Sequence, residues 1–276
     1  MQPGGAAGIK KTTVGLSQII GDLRAGVPVA VSLAPSFPAA FSPLPPVAVF
    51  QILREAGFVS VEETVSVLPG IIEERKRLAR NGLGFYIANS CPVVVSLVNR
   101  KYPHLRPHIF PGLSPMLSHA ALLKKRLGNS TKVLFIGLCG AKKKEAVANP
   151  GLVDYVLTFR EVKPWFEERY RAARQAHSLS LHGWRLDPSL NGVRQAVLAT
   201  AASGRQAVEA VLDRLPVDPP GPVLELLNCP GGCLGGPGIP DKLGLAERRK
   251  TVEQYVAWIE ERQAREVCAS EKANSA

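Results

Sequence analysis

The apolar residues of this chain alternate between two spacings. Val14, Leu16, Ile19, Ile20 and Leu23 recur at mostly helical intervals and predict a helix that ends near Gly26, so residues 1–26 read as an N-terminal helical segment. Val29–Leu33 is a short apolar run that reads as a strand. A helix over 47–56, a strand near 59–61, a helix over 71–79 and a strand over 84–88 follow. Pro92 opens the next helix, and Ser114-Pro115 opens one that runs to about Gly128. Strands over 132–138 and 154–158, helices over 160–176 and 203–215, and a buried strand over 222–227 complete the series. This alternation predicts an α/β protein with a mainly parallel sheet flanked by helices. Two stretches fit neither period. Residues 34–46 hold five prolines and predict an ordered loop, and 177–191 read as irregular. Val252, Tyr255, Val256 and Ile259 line one face of a C-terminal helix over about 244–263, with a polar, flexible tail at 264–276.

Asn228–Pro240 is the least regular stretch. It carries two thiols, five glycines and three prolines in thirteen residues, which predicts a defined loop turning Cys229 and Cys233 toward a common point. The glycine fingerprints of dinucleotide and phosphate-cradling loops are absent. The loop leaves the end of a predicted strand, where α/β proteins place their ligands. Cys91 and Cys139 also follow strands directly, and Cys91 precedes a helix whose free N–H groups and dipole favour a thiolate. Cys268 falls in the polar tail and reads as a bystander. A close thiol pair in an intracellular chain more often binds metal or does redox chemistry than sits inert. By spacing alone, four thiols on three loops suit a structural zinc site and an iron–sulfur cluster comparably.

Composition narrows the class. Hydrophobic residues at 46% and charged residues at 21% describe a folded domain, and five cysteines do not form a disulfide framework. There is no apolar run long enough for a membrane span and no signal-peptide core, so a cytoplasmic protein is expected. The 34 basic and 23 acidic residues give a net charge of +11. With charges scattered over helical faces such as 73–80 and 247–249 and no nucleic-acid motif, this reads as solvated surface rather than a nucleic-acid site. A basic surface also suits an acidic electron-transfer partner.

The residues around the cysteines carry a family resemblance. Asn89-Ser90-Cys91-Pro92 resembles the T-S-C-C-P motif of the iron-iron hydrogenase large subunit. Gly137-Leu138-Cys139-Gly140-Ala141-Lys142-Lys143 resembles its M-P-C-x-A-K-K, and Cys229-Pro230-Gly231-Gly232-Cys233 with Gly235-Gly236 resembles its C-x-G-G-C-x-x-G-G. The likeness continues in residues 31–36 and 154–160 and spans roughly 27–260. It implies two lobes, about 27–128 and 129–240, with an iron cluster in the cleft between them. Cys91, Cys139, Cys229 and Cys233 would hold a 4Fe-4S cubane. Cys233 would bridge it to a diiron subsite with carbonyl and cyanide ligands, and Lys142 would hydrogen-bond a cyanide. No ferredoxin-like run of cysteines precedes Val27, so a ferredoxin-like or other electron-transfer protein is the expected partner. The Ala34-Pro35-Ser36 and Ser114-Pro115-Met116 wording is closer to the sensory branch of the family. The alternatives are a cluster carrier without hydrogen chemistry and a structural zinc protein.

The resemblance also bears on proton supply. In the family's active enzymes a cysteine, a glutamate, a serine and a second glutamate relay protons to the iron. Here the cysteine position is Ser90, whose hydroxyl is a poor proton donor, and the first glutamate falls on Glu74. The other two fall on Phe110 and Arg77, neither of which releases a proton in practice. Hydrogen sensing or slow hydrogen activation is therefore expected instead of bulk turnover, with His104, His108 or His119 as candidates for another path.

Overall fold

The protein is described here from a computed structural model covering residues 15–176, 201–240 and 242–274. Its strands are β1 (Val29–Leu33), β2 (Ser60–Glu63), β3 (Tyr86–Ile87), β4 (Lys132–Gly137), β5 (Tyr155–Thr158), β6 (Ala202–Ser203), β7 (Val223–Leu224) and β8 (Leu226–Leu227). The first five helices are α1 (Leu16–Arg24), α2 (Phe37–Phe41), α3 (Pro46–Glu55), α4 (Leu68–Asn81) and α5 (Pro92–Lys101). They are followed by α6 (Pro115–Leu127), α7 (Ala141–Ala148), α8 (Phe159–Gln175), α9 (Arg205–Leu212) and α10 (Leu245–Asn274). A four-stranded sheet runs in the order β2-β1-β4-β5, and β3-β7 and β6-β8 form two short pairs. Every strand pairing among the described residues is parallel, as helical crossovers require. All five residues of β1 are buried, which is why that strand is apolar at every position but Ser32.

Two large hydrophobic cores result among the described residues, beside two small clusters around Val252 and Tyr86. The larger joins the four-stranded sheet to Phe37, Phe41, Phe159 and Phe166. The smaller gathers Phe85, Ile87, Leu97, Val98, Leu212 and Leu224 around α5, α9 and the β3-β7 pair. Each core draws on both halves of the chain, so the lobe limits expected at 27–128 and 129–240 do not coincide with them. Chain order predicts local elements, but a crossover can return the chain to either core.

The structure departs from the sequence reading elsewhere too. The proline-rich stretch contains α2, because Pro38 lies in the first turn, where no N–H is needed. The Phe41 ring meets those of Phe159 and Phe166 at 5.4 and 4.4 Å, and buried Lys163 donates to Ala40 O and Ser42 O at 2.9 and 3.0 Å. The strand expected over 222–227 splits at Glu225, with β7 pairing to β3 and β8 to β6. α7 was not foreseen, since its sequence AKKKEAVA has little apolar periodicity. α10 continues to Asn274, past the expected end at 263, because no glycine or proline interrupts it. Residues 177–191 and the start of the N-terminal segment lie outside the described residues, as does the side chain of Cys268. No helix among the described residues is long and apolar enough to cross a membrane.

Candidate metal centre

Cys91 caps the start of α5, with extended backbone angles and its carbonyl accepting from Val95 N at 3.1 Å. Cys139 leaves β4 and turns into α7, where Ala141 N donates to its sulfur at 3.4 Å. Cys139 packs against the larger core and Cys91 against the smaller, so these thiols approach from opposite sides. Cys229 and Cys233 come from the loop after β8. Gly231 and Gly232 there adopt φ of 72° and 67°, the left-handed region that a side chain disfavours. At Gly235 a Cβ would lie 1.8 Å from Pro230 O, so the two ends of the loop touch only because this position is bare.

The loop is clamped from outside. Gly238 N donates to Leu138 O at 2.7 Å, tying it to the residue before Cys139. Arg160 N donates to Gly238 O at 2.8 Å, and the Arg160 guanidinium to Ile239 O at 3.2 Å. Arg248, buried in α10, donates to Leu234 O and Leu243 O at 2.9 Å and to Pro240 O at 3.3 Å. The expectation that 247–249 is solvated surface is thus corrected for Arg248, whose charge answers loop carbonyls that no backbone N–H can reach.

Two of the four thiols, Cys229 and Cys233, are held up against ionisation. Burial, then Cys139 and Cys91, push the Cys229 thiol up. Burial, Cys91 and Glu225 push Cys233 up to about 12, against the opposing pull of Lys142. Cys233 is exposed by area where it borders a cavity, whereas the protein packed around it governs its ionisation. Ionised together, these thiols need a positive group among them. Among the described residues no three His, Cys, Asp or Glu side chains are gathered closely enough to hold a single metal ion.

The cavity beside Cys233 has a volume of about 130 Å3. Cys233 is the cysteine that lines it, together with Ser36, Thr64, Ser90, Lys142 and Glu225. Lys142 is mostly buried and donates to Glu145 Oε2 at 2.6 Å, so it is no exposed member of a lysine run. The Ser36 hydroxyl is buried without a hydrogen-bond partner, which leaves one polar group on the wall ready for an occupant.

Behind the wall lies an ionic network that the sequence reading missed. Arg75, 1% exposed, donates to Glu225 Oε2 at 3.2 Å, Asn89 Oδ1 at 3.1 Å and Ser90 Oγ at 3.3 Å, and its guanidinium lies 5.1 Å from the centre of the Phe110 ring. Ser90 Oγ also donates to Glu225 Oε2 at 3.2 Å. Burial raises the Glu225 carboxyl above its ordinary range, opposed by Arg75, Ser90 and Lys142. The run at 73–80 is thus not all solvated surface. Arg75 lies in helical phase with Ile71 and Ala79, a signal present in the sequence.

The predicted site residues therefore separate. Cys233, Ser90 and Lys142 border one cavity, and Cys91 and Cys139 are close enough to Cys229 to oppose its ionisation. Glu74 does not border the cavity and is bound by Arg77 at 2.6 Å on the outer side of α4. His108 stacks on Phe85 and His104 meets Tyr102 edge-on, both away from the cavity. His119 is buried in α6 among polar partners.

Comparison with known proteins identifies the fold and the family. The structure that revealed stepwise H-cluster assembly in FeFe-hydrogenase matches at a TM-score of 0.66 and 18% identity, covering 87% of this chain and 88% of that one. An apo FeFe-hydrogenase from Chlamydomonas reinhardtii, a single-residue variant, matches with the same TM-score, identity and coverage. At that identity the likeness shows the fold. Among curated protein sequences, none matches the chain. The family model for the C-terminal domain of the iron-only hydrogenase large subunit matches residues 27–182, more than half of the sequence. With an α/β fold and strand-end cysteines in place, the chain belongs to the family of C-terminal domains of iron-only hydrogenase large subunits, whose cofactor is iron–sulfur.

Proposed function

We propose that this protein holds a 4Fe-4S cluster on Cys91, Cys139, Cys229 and Cys233 and a diiron subsite in the cavity beside Cys233, and that it responds to hydrogen or redox state. The observation that carries this reading is that Cys233, whose ionisation Cys91 and Cys229 oppose, also borders a cavity walled by Lys142 and an unpartnered Ser36 hydroxyl. Four thiolates spread wider than a single ion requires suit a cluster better than zinc, and the raised thiols fit a positively charged core. When bound, the composite group supplies one-electron redox chemistry and a site for hydrogen. The protein's share is to hold thiolates at three strand ends, to offer the Lys142 ammonium and Ser36 hydroxyl to polar ligands, and to keep solvent out with Leu138, Met116 and Phe135. Electrons would come from a ferredoxin-like carrier drawn to the basic surface in the cytoplasm.

Anaerobic reconstitution, metal analysis and electron paramagnetic resonance test the cubane. About four irons and a cubane signal are expected, retained in Cys268→Ser and lost in Cys139→Ala. Stoichiometric zinc without iron would sink the reading. Infrared bands of carbonyl and cyanide after loading with a diiron precursor test the subsite, and their absence would leave a cluster carrier.

A further inference from the structure

The cavity touches a second polar system, distinct from the Arg75 network. Thr64, in the 3-10 turn Thr64–Val67 after β2, borders the cavity. Its Oγ1 lies 2.9 Å from Ser32 Oγ on β1. Ser32 Oγ lies 2.8 Å from Nδ1 of His119, a residue with 0% exposure. On the other side of that ring, Nε2 is buried without a hydrogen-bond partner, 3.6 Å from Glu62 Oε2. Glu62 is part-exposed on β2 and paired with the half-exposed Arg126 of α6. Burial would raise its carboxyl, but the nearby His119 ring and hydrogen bonds from Ser60 and Arg126 hold it down at about 2, so it stays anionic. Glu62 and Arg126 are the charged partners found about the ring among the described residues.

We propose that Thr64, Ser32, His119 and Glu62 form a proton wire between the cavity and the surface. The inference rests on the reading that redox chemistry takes place in that cavity. Thr64, Ser32 and His119 each both donate and accept, and the Glu62 carboxylate at the outer end accepts. With Nε2 protonated, Thr64 donates to Ser32, Ser32 donates to Nδ1, and Nε2–H faces the Glu62 carboxylate. A proton released into the cavity is taken by Thr64 as each hydroxyl passes on its own, and Nε2 releases one toward Glu62 and solvent. The transfer leaves the proton on Nδ1, with Ser32 donating to no ring nitrogen. Thr64 can then donate to Leu33 O, 3.1 Å away. One proton thus crosses and the polarity of the wire reverses, and the return of one proton restores it. Such a wire suits reversible uptake and release of one proton per electron, with the electron supplied by a one-electron reductant. It suits continuous turnover poorly, because the buried ring would have to reset each time.

The test uses the loaded protein and photochemically reduced viologen, with a pH-indicator dye reporting proton uptake and cluster absorbance reporting electron arrival. Thr64→Val and Ser32→Ala should slow proton uptake at least tenfold with electron arrival unchanged. Thr64→Ser, which keeps the hydroxyl, should retain the wild-type rate. In D2O the wild type should slow severalfold, because each link moves a hydrogen. Wild-type uptake rates in both hydroxyl-deleting variants, each shown by its cluster spectrum to be folded and loaded, would overturn the wire and leave the functional reading standing. A wild-type chain that takes up no cluster would instead refute the functional reading, and the wire with it.

Discussion

Replacing Arg75 by methionine probes the polar wall of the site directly. The side chain is 1% exposed, and its guanidinium serves Glu225, Asn89 and Ser90 at 3.1–3.3 Å. Methionine fills much of the volume but leaves Glu225 with Ser90 and Lys142 as its remaining support. Breaking a buried ion pair on one side costs about 3–5 kcal/mol. At about 2–4 °C per kcal/mol for a domain of this size, the melting temperature should fall by about 6–20 °C. The pH dependence follows from Glu225, whose carboxyl is raised above its ordinary value of 4.5, chiefly by burial. A carboxyl raised in the folded state contributes stability that is fully present below 4.5 and is lost as pH rises through the folded value. Without Arg75 that value rises further, so the deficit of Arg75→Met should be smallest in acid and grow as pH increases. Anaerobic urea unfolding of the cluster-free protein, followed by tryptophan fluorescence across that range, measures it. Adding Glu225→Gln should remove the pH dependence and recover at least about 1 kcal/mol, the coupling expected of groups in contact. A loss below about 1 kcal/mol, flat with pH, would show that no buried charge stands at Glu225 and refute the reasoning.

Three further outcomes are expected. Arg248→Ala deprives the carbonyls of Leu234, Leu243 and Pro240 of this donor, which at about 1–3 kcal/mol for each group left unsatisfied should cost at least about 3 kcal/mol in unfolding experiments, with Arg248→Lys intermediate. Gly235→Ala places a methyl 1.8 Å from Pro230 O, so iron content after reconstitution should fall at least severalfold, and full occupancy would show that the loop yields. Ser90→Cys restores the first member of the family's proton relay, but Glu74 is turned outward to Arg77. Hydrogen evolution from reduced viologen should therefore rise less than tenfold, far below the roughly 10²–10⁴ of a complete acid–base relay, and a larger gain would show that Glu74 swings inward.

The sequence by itself determined most of the longer strands and helices, the parallel α/β class and the placing of three thiol-bearing turns at strand ends, while α2, α7 and β6 escaped it. Those features are local: a buried strand such as Val29–Leu33 is apolar at all positions but Ser32, and a chain reversal such as Asn228–Pro240 carries glycine. The family was legible for the same reason, since its motifs are short and surround the cysteines. What only the tertiary structure decided are the pairings of polar groups. Helical phase decides that Arg75 turns inward while Glu74 turns outward, and a single residue step separates the two. The partner of Arg75, Glu225, stands 150 positions away at the point where one predicted strand divides between two pairings. Ser32 meets Thr64 across 32 positions and His119 across 87. A buried polar side chain is stable only beside a partner, and the fold, not the neighbouring sequence, supplies that partner.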